Sequence, residues 1–298
     1  MRIATSQYHQ TMAQTLGSAQ ARLEHVLQQM ANGKRLLLPS DDPVAGVRMS
    51  RLNREEAALD QYRENIGALS VRLTQNETAL DTTVSDMMQV RDLLVWASDG
   101  ANASEDLNAM AGSLVSLRDS LLYSANSRDH EGRYLFSGTA SSQPTIVHNG
   151  TGYVFNGNEA TQLVTVGNEV TQPANVNLKE MADLLNQLDA TIAALQTPGV
   201  NANDPAVRAT LKANLDGTDT TMSAVNGKIA GLGGAQNILS TLDDTHASVS
   251  VANKQALILL GQLDYGEAAI RLNGYKTALE ATQKAYSRVS NLSLFNVI

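Results

Sequence analysis

The chain has 298 residues, a formal net charge of -8, no cysteine, and 4% aromatic against 43% hydrophobic residues. An acidic balance with no run of Lys and Arg excludes a binder of nucleic-acid backbones, and the lack of Cys excludes disulfide frameworks and thiolate metal sites. No stretch is long and apolar enough to span a bilayer, and Met1–Gln10 has no apolar core of the secretory type, so the cytoplasm is the default location unless a signal-independent export route exists.

Taken in chain order, Met12, Leu16, Ala19, Leu23, Val26 and Met30 recur at spacings of four and three, the period of a helix that buries one narrow seam. Asn32-Gly33 ends that helix, because glycine accepts the left-handed conformation that closes helices. Leu36 to Pro39 reads as an extended break, and Ser40-Asp41-Asp42-Pro43 restarts a helix, with Asp42 as cap and Pro43 in the first helical position. A cap is the stronger reading of the Asp41-Asp42 pair, because no further metal ligand lies at helical spacing from it.

From Leu59 through Tyr62, Ile66, Leu69, Leu73, Asn76, Leu80, Thr83, Met87, Val90 and Leu94 to Ala97, spacings of three and four alternate without a slip, which predicts one helix from Pro43 to Ser98. A third helix follows from Ser104 through Leu107, Met110, Leu114, Leu117 and Leu121. The period then turns strand-like, with short runs at Tyr134–Ser137, Thr145–His148, Tyr153–Phe155, Leu163–Val166 and Val170–Thr171. Asn149-Gly150 and Asn156-Gly157 supply hairpin turns between them. Helical sequence resumes at Asn177–Leu195, again at Asp204–Ile229, and last from Ala235 to Ser293.

Within the last stretch the seam Val249, Ala252, Ala256, Leu259 and Leu263 does not continue in register into Ala268, Leu272, Tyr275, Leu279, Thr282, Tyr286 and Val289. That slip marks a boundary opposite Gly33–Asp42. After Arg288 no charge remains, and the chain closes on Leu292, Leu294, Phe295, Val297 and Ile298, apolar residues that imply a binding surface.

The fold class expected is mainly α: a long antiparallel helical bundle or coiled coil joining the N- and C-terminal segments, with a small β-rich inserted domain in the middle. Residues 1–42 and 264–298 form a terminal helical assembly domain, 43–132 and 178–263 a bundle shaft, and 133–177 the insert. The assembly surface expected comprises Met12, Leu16, Leu23, Val26, Met30, Leu272, Tyr275, Leu279, Tyr286, Val289, Leu292, Leu294, Phe295 and Ile298, with Gly33, Asp42 and Pro43 as hinge and cap. No catalytic residue, cofactor or metal ligand is expected: the five His residues are dispersed, and Gly227-Lys228 with Gly231-Leu232-Gly233-Gly234 lacks the order of a phosphate loop. The two terminal segments are expected to be mobile in the free subunit, since a single modest seam does not offset the entropy of ordering about 40 residues at each end.

Leu23–Gly46, with Ala31-Asn32-Gly33-Lys34-Arg35 followed by Ser40-Asp41-Asp42-Pro43-Val44-Ala45-Gly46, resembles the N-terminal signature of bacterial flagellins. Leu263-Asp264-Tyr265-Gly266-Glu267-Ala268-Ala269-Ile270 through Leu279-Glu280-Ala281 to Phe295 is similar to the matching C-terminal region. Within that family the chain is most similar to the branch that joins hook to filament: Gly132-Arg133-Tyr134-Leu135-Phe136-Ser137-Gly138 is similar to a motif typical of that branch, and the ending Ser293–Ile298 differs from the usual flagellin ending. Met88–Leu94 resembles the flagellin segment of filament packing and innate receptor recognition, and packing is the stronger reading because Val90 and Leu94 belong to the seam. The resemblance implies a structural protein of the flagellum at the hook–filament junction, exported by the flagellar type III apparatus without a cleaved signal and extracellular. It further implies as partners other copies in a ring, the adjacent hook-side junction protein, flagellin and a cytoplasmic export chaperone, with neither nucleic acid nor membrane. Filament flagellin and a non-flagellar coiled-coil scaffold are the alternatives.

Overall fold

The computed structural model describes the backbone of residues 2–291 and the side chains of residues 6–288. Its elements are α1 (Arg2–Asn32), α2 (Pro43–Ala97), α3 (Ser104–Ala125), β1 (Ile146–His148), β2 (Tyr153–Phe155), β3 (Leu163–Gly167), β4 (Val170–Pro173), α4 (Glu180–Leu195), α5 (Pro205–Gly261) and α6 (Tyr265–Asn291). The fold is mainly α with a small β-rich region in mid-chain. Residues group into two compact units, one from the residues up to Ala58 and those from Ser248 onward, the other Leu59–Ala247. Among the described residues no helix is long and apolar enough to cross a membrane, and no group of three or more His, Asp or Glu is placed to hold a metal ion.

In the Leu59–Ala247 unit the unbroken α2 seam is the spine of the core. Leu73, Leu80, Met87, Val90 and Leu94 are fully buried in one cluster with Leu107, Leu114 and Leu121 of α3, Met181, Leu185 and Leu188 of α4, and Leu211, Val225, Leu232 and Leu239 of α5. Arg118 ties α3 to α4, its Nη1 2.6 Å from Asp189 Oδ1 while Nη2 lies 2.8 Å from Asp119 Oδ1. Burial works against its charge, and the hydrogen bonds to Asp189 and Asp119 outweigh that, holding the guanidinium above its ordinary range. Lys228 Nζ of α5 donates to Glu180 Oε2 at 2.7 Å and Asn177 O at 2.6 Å, fixing the start of α4.

Two expectations about α5 and its successor require correction. The helix runs 57 residues through Gly231-Leu232-Gly233-Gly234 without a break, and it stops at Gly261 instead of continuing to Ser293. Tertiary packing overrides glycine propensity here, for Leu232 is buried in the core. The buried face also differs from the one read off the apolar residues. Leu259 is 82% exposed, whereas Asn214, Thr218, Thr221, His246, Ser250 and Asn253 are buried; Thr218, His246 and Asn253 fall on the heptad position that Leu211, Val225, Leu232 and Leu239 share, and Asn214 and Thr221 on the companion position three residues on. The seam is continuous, but a third or more of it is polar.

The strand region is two separate antiparallel hairpins, β1 with β2 and β3 with β4, the second irregular between Thr165 and Gly167. Tyr134–Ser137, expected as a strand, makes only isolated bridges, Arg128 with Tyr134 and Ser137 with Asn177. It is bracketed by Gly132 and Gly138, both at positive φ, and its backbone pairs with short loops: Leu135 N–H donates to Ser127 O and Leu178 N–H to Phe136 O. Phe136 is nevertheless fully buried.

A lone hairpin is marginal in water, and the first one is held at both edges by side-chain amides. Asn126, just past α3, accepts from Ile146 N–H at 3.0 Å and donates to Ile146 O at 3.0 Å. Asn186 of α4 accepts from Tyr153 N–H at 2.7 Å and donates to Tyr153 O at 2.8 Å. Gly152 is required beside it, because a β-carbon there would sit 2.5 Å from Asn186 Oδ1.

Asn76, at a seam position of α2, is fully buried with neither amide atom hydrogen-bonded. Asn76→Leu is expected to stabilise the protein by about 1–3 kcal/mol by removing that desolvation cost. Leu80→Ala on the same seam is expected to cost about 2–5 kcal/mol. Urea denaturation followed by circular dichroism measures both.

Candidate assembly surface

The other unit is built on α1 and α6, which lie against each other. Along α1, Met12, Leu16, Leu23 and Met30 are half-buried and Val26 is buried; along α6, Leu272, Tyr275, Leu279 and Tyr286 are half-buried and Ala268 is buried. Gln29 is buried as well, and Tyr8, His9, Ala19, His25, Ala269 and Thr282 are half-buried; the other described side chains of these two helices are exposed. Val26, Leu263 and Ala268 form the centre of the contact, with Met30, Leu272 and Tyr275 packed around them. Further along, Tyr286 Oη lies 3.1 Å from His9 Nδ1, the rings edge to face at 5.6 Å. The side chain of Val289, together with Leu292, Leu294, Phe295 and Ile298, lies outside the described residues.

One helix can cover only one side of another, so a two-helix pair leaves its seam half-open. The same unit also exposes large apolar side chains away from that seam: Val44, Val47, Ile258, Leu259 and Ile270 are each more than half exposed. The apolar periodicity of the sequence places Leu259 on a buried seam, which the structure corrects; the run Ile258-Leu259-Leu260, with apolar residues on successive faces of one turn, is the signal for an exposed apolar face.

Between the helices the chain breaks twice, at 33–42 and 262–264, and the two breaks are bound together. Gly33, at φ +66°, ends α1; its carbonyl accepts from Leu263 N–H at 3.1 Å, while Arg35 N–H donates to Gly261 O at 2.8 Å, making a bridge between Lys34 and Gln262. The Arg35 guanidinium donates twice to Leu260 O, at 3.2 and 3.0 Å, so that it caps the end of α5, and reaches Asp42 Oδ2 at 3.3 Å. Asp42 Oδ1 accepts from Ala45 N–H at 3.0 Å at the start of α2, which opens at Pro43. Asp41 Oδ2 accepts from Leu37 and Leu38 N–H at 2.9 Å each, and Asp264 Oδ1 accepts from Gly266 and Glu267 N–H at the start of α6. Tyr265 Oη donates to Met30 O at 3.2 Å.

The electrostatics follow from these donors. The Leu38 and then the Leu37 amide hold the Asp41 carboxyl below its ordinary value of 3.8, and the Ala45 amide, followed by Arg35, does the same for Asp42. None of this is reaction chemistry. The polar groups at the breaks close the helix ends, and the apolar side chains named above stay exposed.

Residues 3–141 match the model of the bacterial flagellin N-terminal helical region. The whole chain is 27% identical to flagellar hook-associated protein 3 of Escherichia coli K12, over 99% of that protein. A solved structure from Vibrio parahaemolyticus, described as a flagellar hook-associated protein, is 33% identical and superposes with a TM-score of 0.68 over 74% of this chain and 99% of that one. FlgL of Xanthomonas campestris shares the fold at 18% identity, with a TM-score of 0.62 over 69% of this chain and 99% of that one.

Because Asp41 and Asp42 titrate below 3.8 in the folded chain, the stability they lend is fully present above that value and is lost as pH falls through their lowered folded values. Hydrogen-exchange protection factors at residues 33–46, taken relative to the intrinsic rate at each pH, are therefore expected to fall below about pH 4, and Asp41→Asn with Asp42→Asn is expected to flatten that dependence. Arg35→Ala is expected to open both breaks together, raising exchange at 260–268 as well as at 33–46.

Proposed function

Because the chain belongs to the flagellin family, and within it to the flagellar hook-associated protein 3 branch, we propose that it is a structural axial protein of the bacterial flagellum at the junction between hook and filament. The observation that carries this is the half-open seam of α1 and α6 beside exposed Val44, Val47, Ile258, Leu259 and Ile270. A unit with that much uncovered apolar surface gains most by packing against copies of itself and related chains.

On this reading Met12, Leu16, Leu23, Val26, Met30, Leu272, Tyr275, Leu279, Tyr286 and Val289 form the surface that neighbouring subunits complete, and Leu292, Leu294, Phe295 and Ile298 extend it. Residues 1–42 and 264–298 act as the assembly domain and gain their lasting order on incorporation, when neighbours cover what one helix cannot. Around the junction the chain forms a ring with its own copies, meeting the hook-side junction protein on one side and flagellin on the other. Before export through the flagellar apparatus, without a cleaved signal, the same apolar ends engage a chaperone.

Limited proteolysis of the free protein is expected to cut first before Asp42 and after Leu263; resistance of both segments in the free subunit counts against assembly-coupled ordering. Imaging of a labelled copy on intact cells is expected to give a single spot at the base of each filament. Label along the whole filament would identify a filament flagellin, and label retained inside the cell would support a scaffold unrelated to the flagellum.

A further inference from the structure

The chain contains five Asn-Gly pairs, at Asn32, Asn149, Asn156, Asn226 and Asn273. In such a pair the glycine nitrogen reaches the preceding side-chain carbonyl carbon with no β-carbon in the way. Reaction requires a base to take the glycine N–H proton and donors to hold the negative charge that builds on the carbonyl oxygen.

Asn149, at the exposed tip of the β1–β2 hairpin, has both. Gly150 N–H donates to His148 Nδ1 at 3.2 Å, so an unprotonated ring nitrogen already sits on the proton that must leave. Asn149 Oδ1 accepts three hydrogen bonds, from Thr151 N–H at 3.1 Å, Thr151 Oγ1 at 2.8 Å and Gly152 N–H at 3.1 Å. The His148 ring is oriented edge to face on Tyr153, centroids 5.0 Å apart, and the Tyr153 backbone is the one clamped by Asn186. Among the described residues no side chain accepts from the glycine N–H of the other four pairs. Asn226 and Asn273 lie inside α5 and α6, where that N–H belongs to the helix ladder, and Gly157 is packed against the backbone of Ser137.

We propose that Asn149 is a site of self-catalysed deamidation, with His148 as the base and Thr151 and Gly152 as donors to the developing oxyanion. His148 Nδ1 takes the Gly150 amide proton as the Gly150 nitrogen bonds to Asn149 Cγ. The Asn149 amide nitrogen then leaves as ammonia, carrying the proton that His148 returns, and a five-membered succinimide remains. Water opens the ring at either carbonyl, leaving aspartate or isoaspartate. One water is consumed and one ammonia released, with no change of oxidation state. The tip of the insert thereby acquires a negative charge with time and, in the isoaspartate product, an extra backbone atom in the turn.

The test follows all five pairs by peptide mass mapping during incubation of the folded full-length protein at neutral pH, with the urea-unfolded chain as reference. Asn149 is expected to convert ahead of the other four in the folded protein. His148→Gln is expected to slow it on the order of tenfold, less than the 10²-fold or more of an enzyme's general base because the ring is open to water, and to change nothing in urea. Imidazole added to His148→Ala is expected to restore part of the rate, which guards against a variant that merely loosens the hairpin. An Asn149 that stays intact while the unfolded chain reacts, or that converts equally fast without His148, overturns the proposal.

Discussion

Every helix leaves unpaired N–H groups at its start and unpaired carbonyls at its end. In this chain four helix ends meet at two breaks. The end of α1 and the start of α2, the end of α5 and the start of α6 must all be satisfied within a dozen or so residues, and they satisfy one another. Arg35 gives its guanidinium to the Leu260 carbonyl of α5 and to Asp42, which in turn caps α2, and its backbone N–H to the Gly261 carbonyl. Gly33 and Leu263 close the gap backbone to backbone. Were these groups left to water, nothing would fix the direction in which α1 and α6 depart, and their seams would have no common register. The centre of the α1–α6 contact, Val26 with Leu263 and Ala268, lies immediately beside this junction. Packing starts where the backbone has already been placed.

How much of this could be read beforehand depended on which chemistry filled the seam. In α2 ten of twelve seam positions are apolar or aromatic, and the helix was legible almost to the residue. The α1 and α6 stripes were legible for the same reason, since Met12 to Met30 and Ala268 to Tyr286 repeat without interruption. In α5 Asn214, Thr218, Thr221, His246, Ser250 and Asn253 take the buried positions, so the apolar pattern pointed to the wrong face, and Gly231 to Gly234 resembled a loop. The core that α2, α3 and α4 present is what makes that sequence helical, and it is invisible to a local window. The clasp was missed for another reason. Asp42 announced itself as a cap through Pro43, whereas nothing local in Arg35 says that its partners are carbonyls more than 220 residues away.

The strand region shows a second use of side chains as backbone substitutes. Each hairpin has only two strands, too few to shelter its own edges. Asn126 and Asn186 present an amide to Ile146 and to Tyr153 with the donor and acceptor of a neighbouring strand. Asn175 does the same within the second hairpin region, accepting from Gln162 N–H at 2.7 Å and donating to Ala160 O at 3.0 Å. A short polar side chain that favours turns when read in isolation thus replaces a missing strand.

For protein engineering, this means that the hairpin is not a cassette. Cutting the chain on either side of it and transplanting the piece would leave behind Asn126, at the end of one helix, and Asn186, on another, and the graft would arrive with both edges bare and inclined to pair with whatever strand it met. Added sequence belongs at the very tip, at Asn149–Thr151, where the hydrogen bonds are local to the turn. Conversely, a host that supplies two asparagines at the right height on adjacent helices could carry such a hairpin without having a sheet of its own.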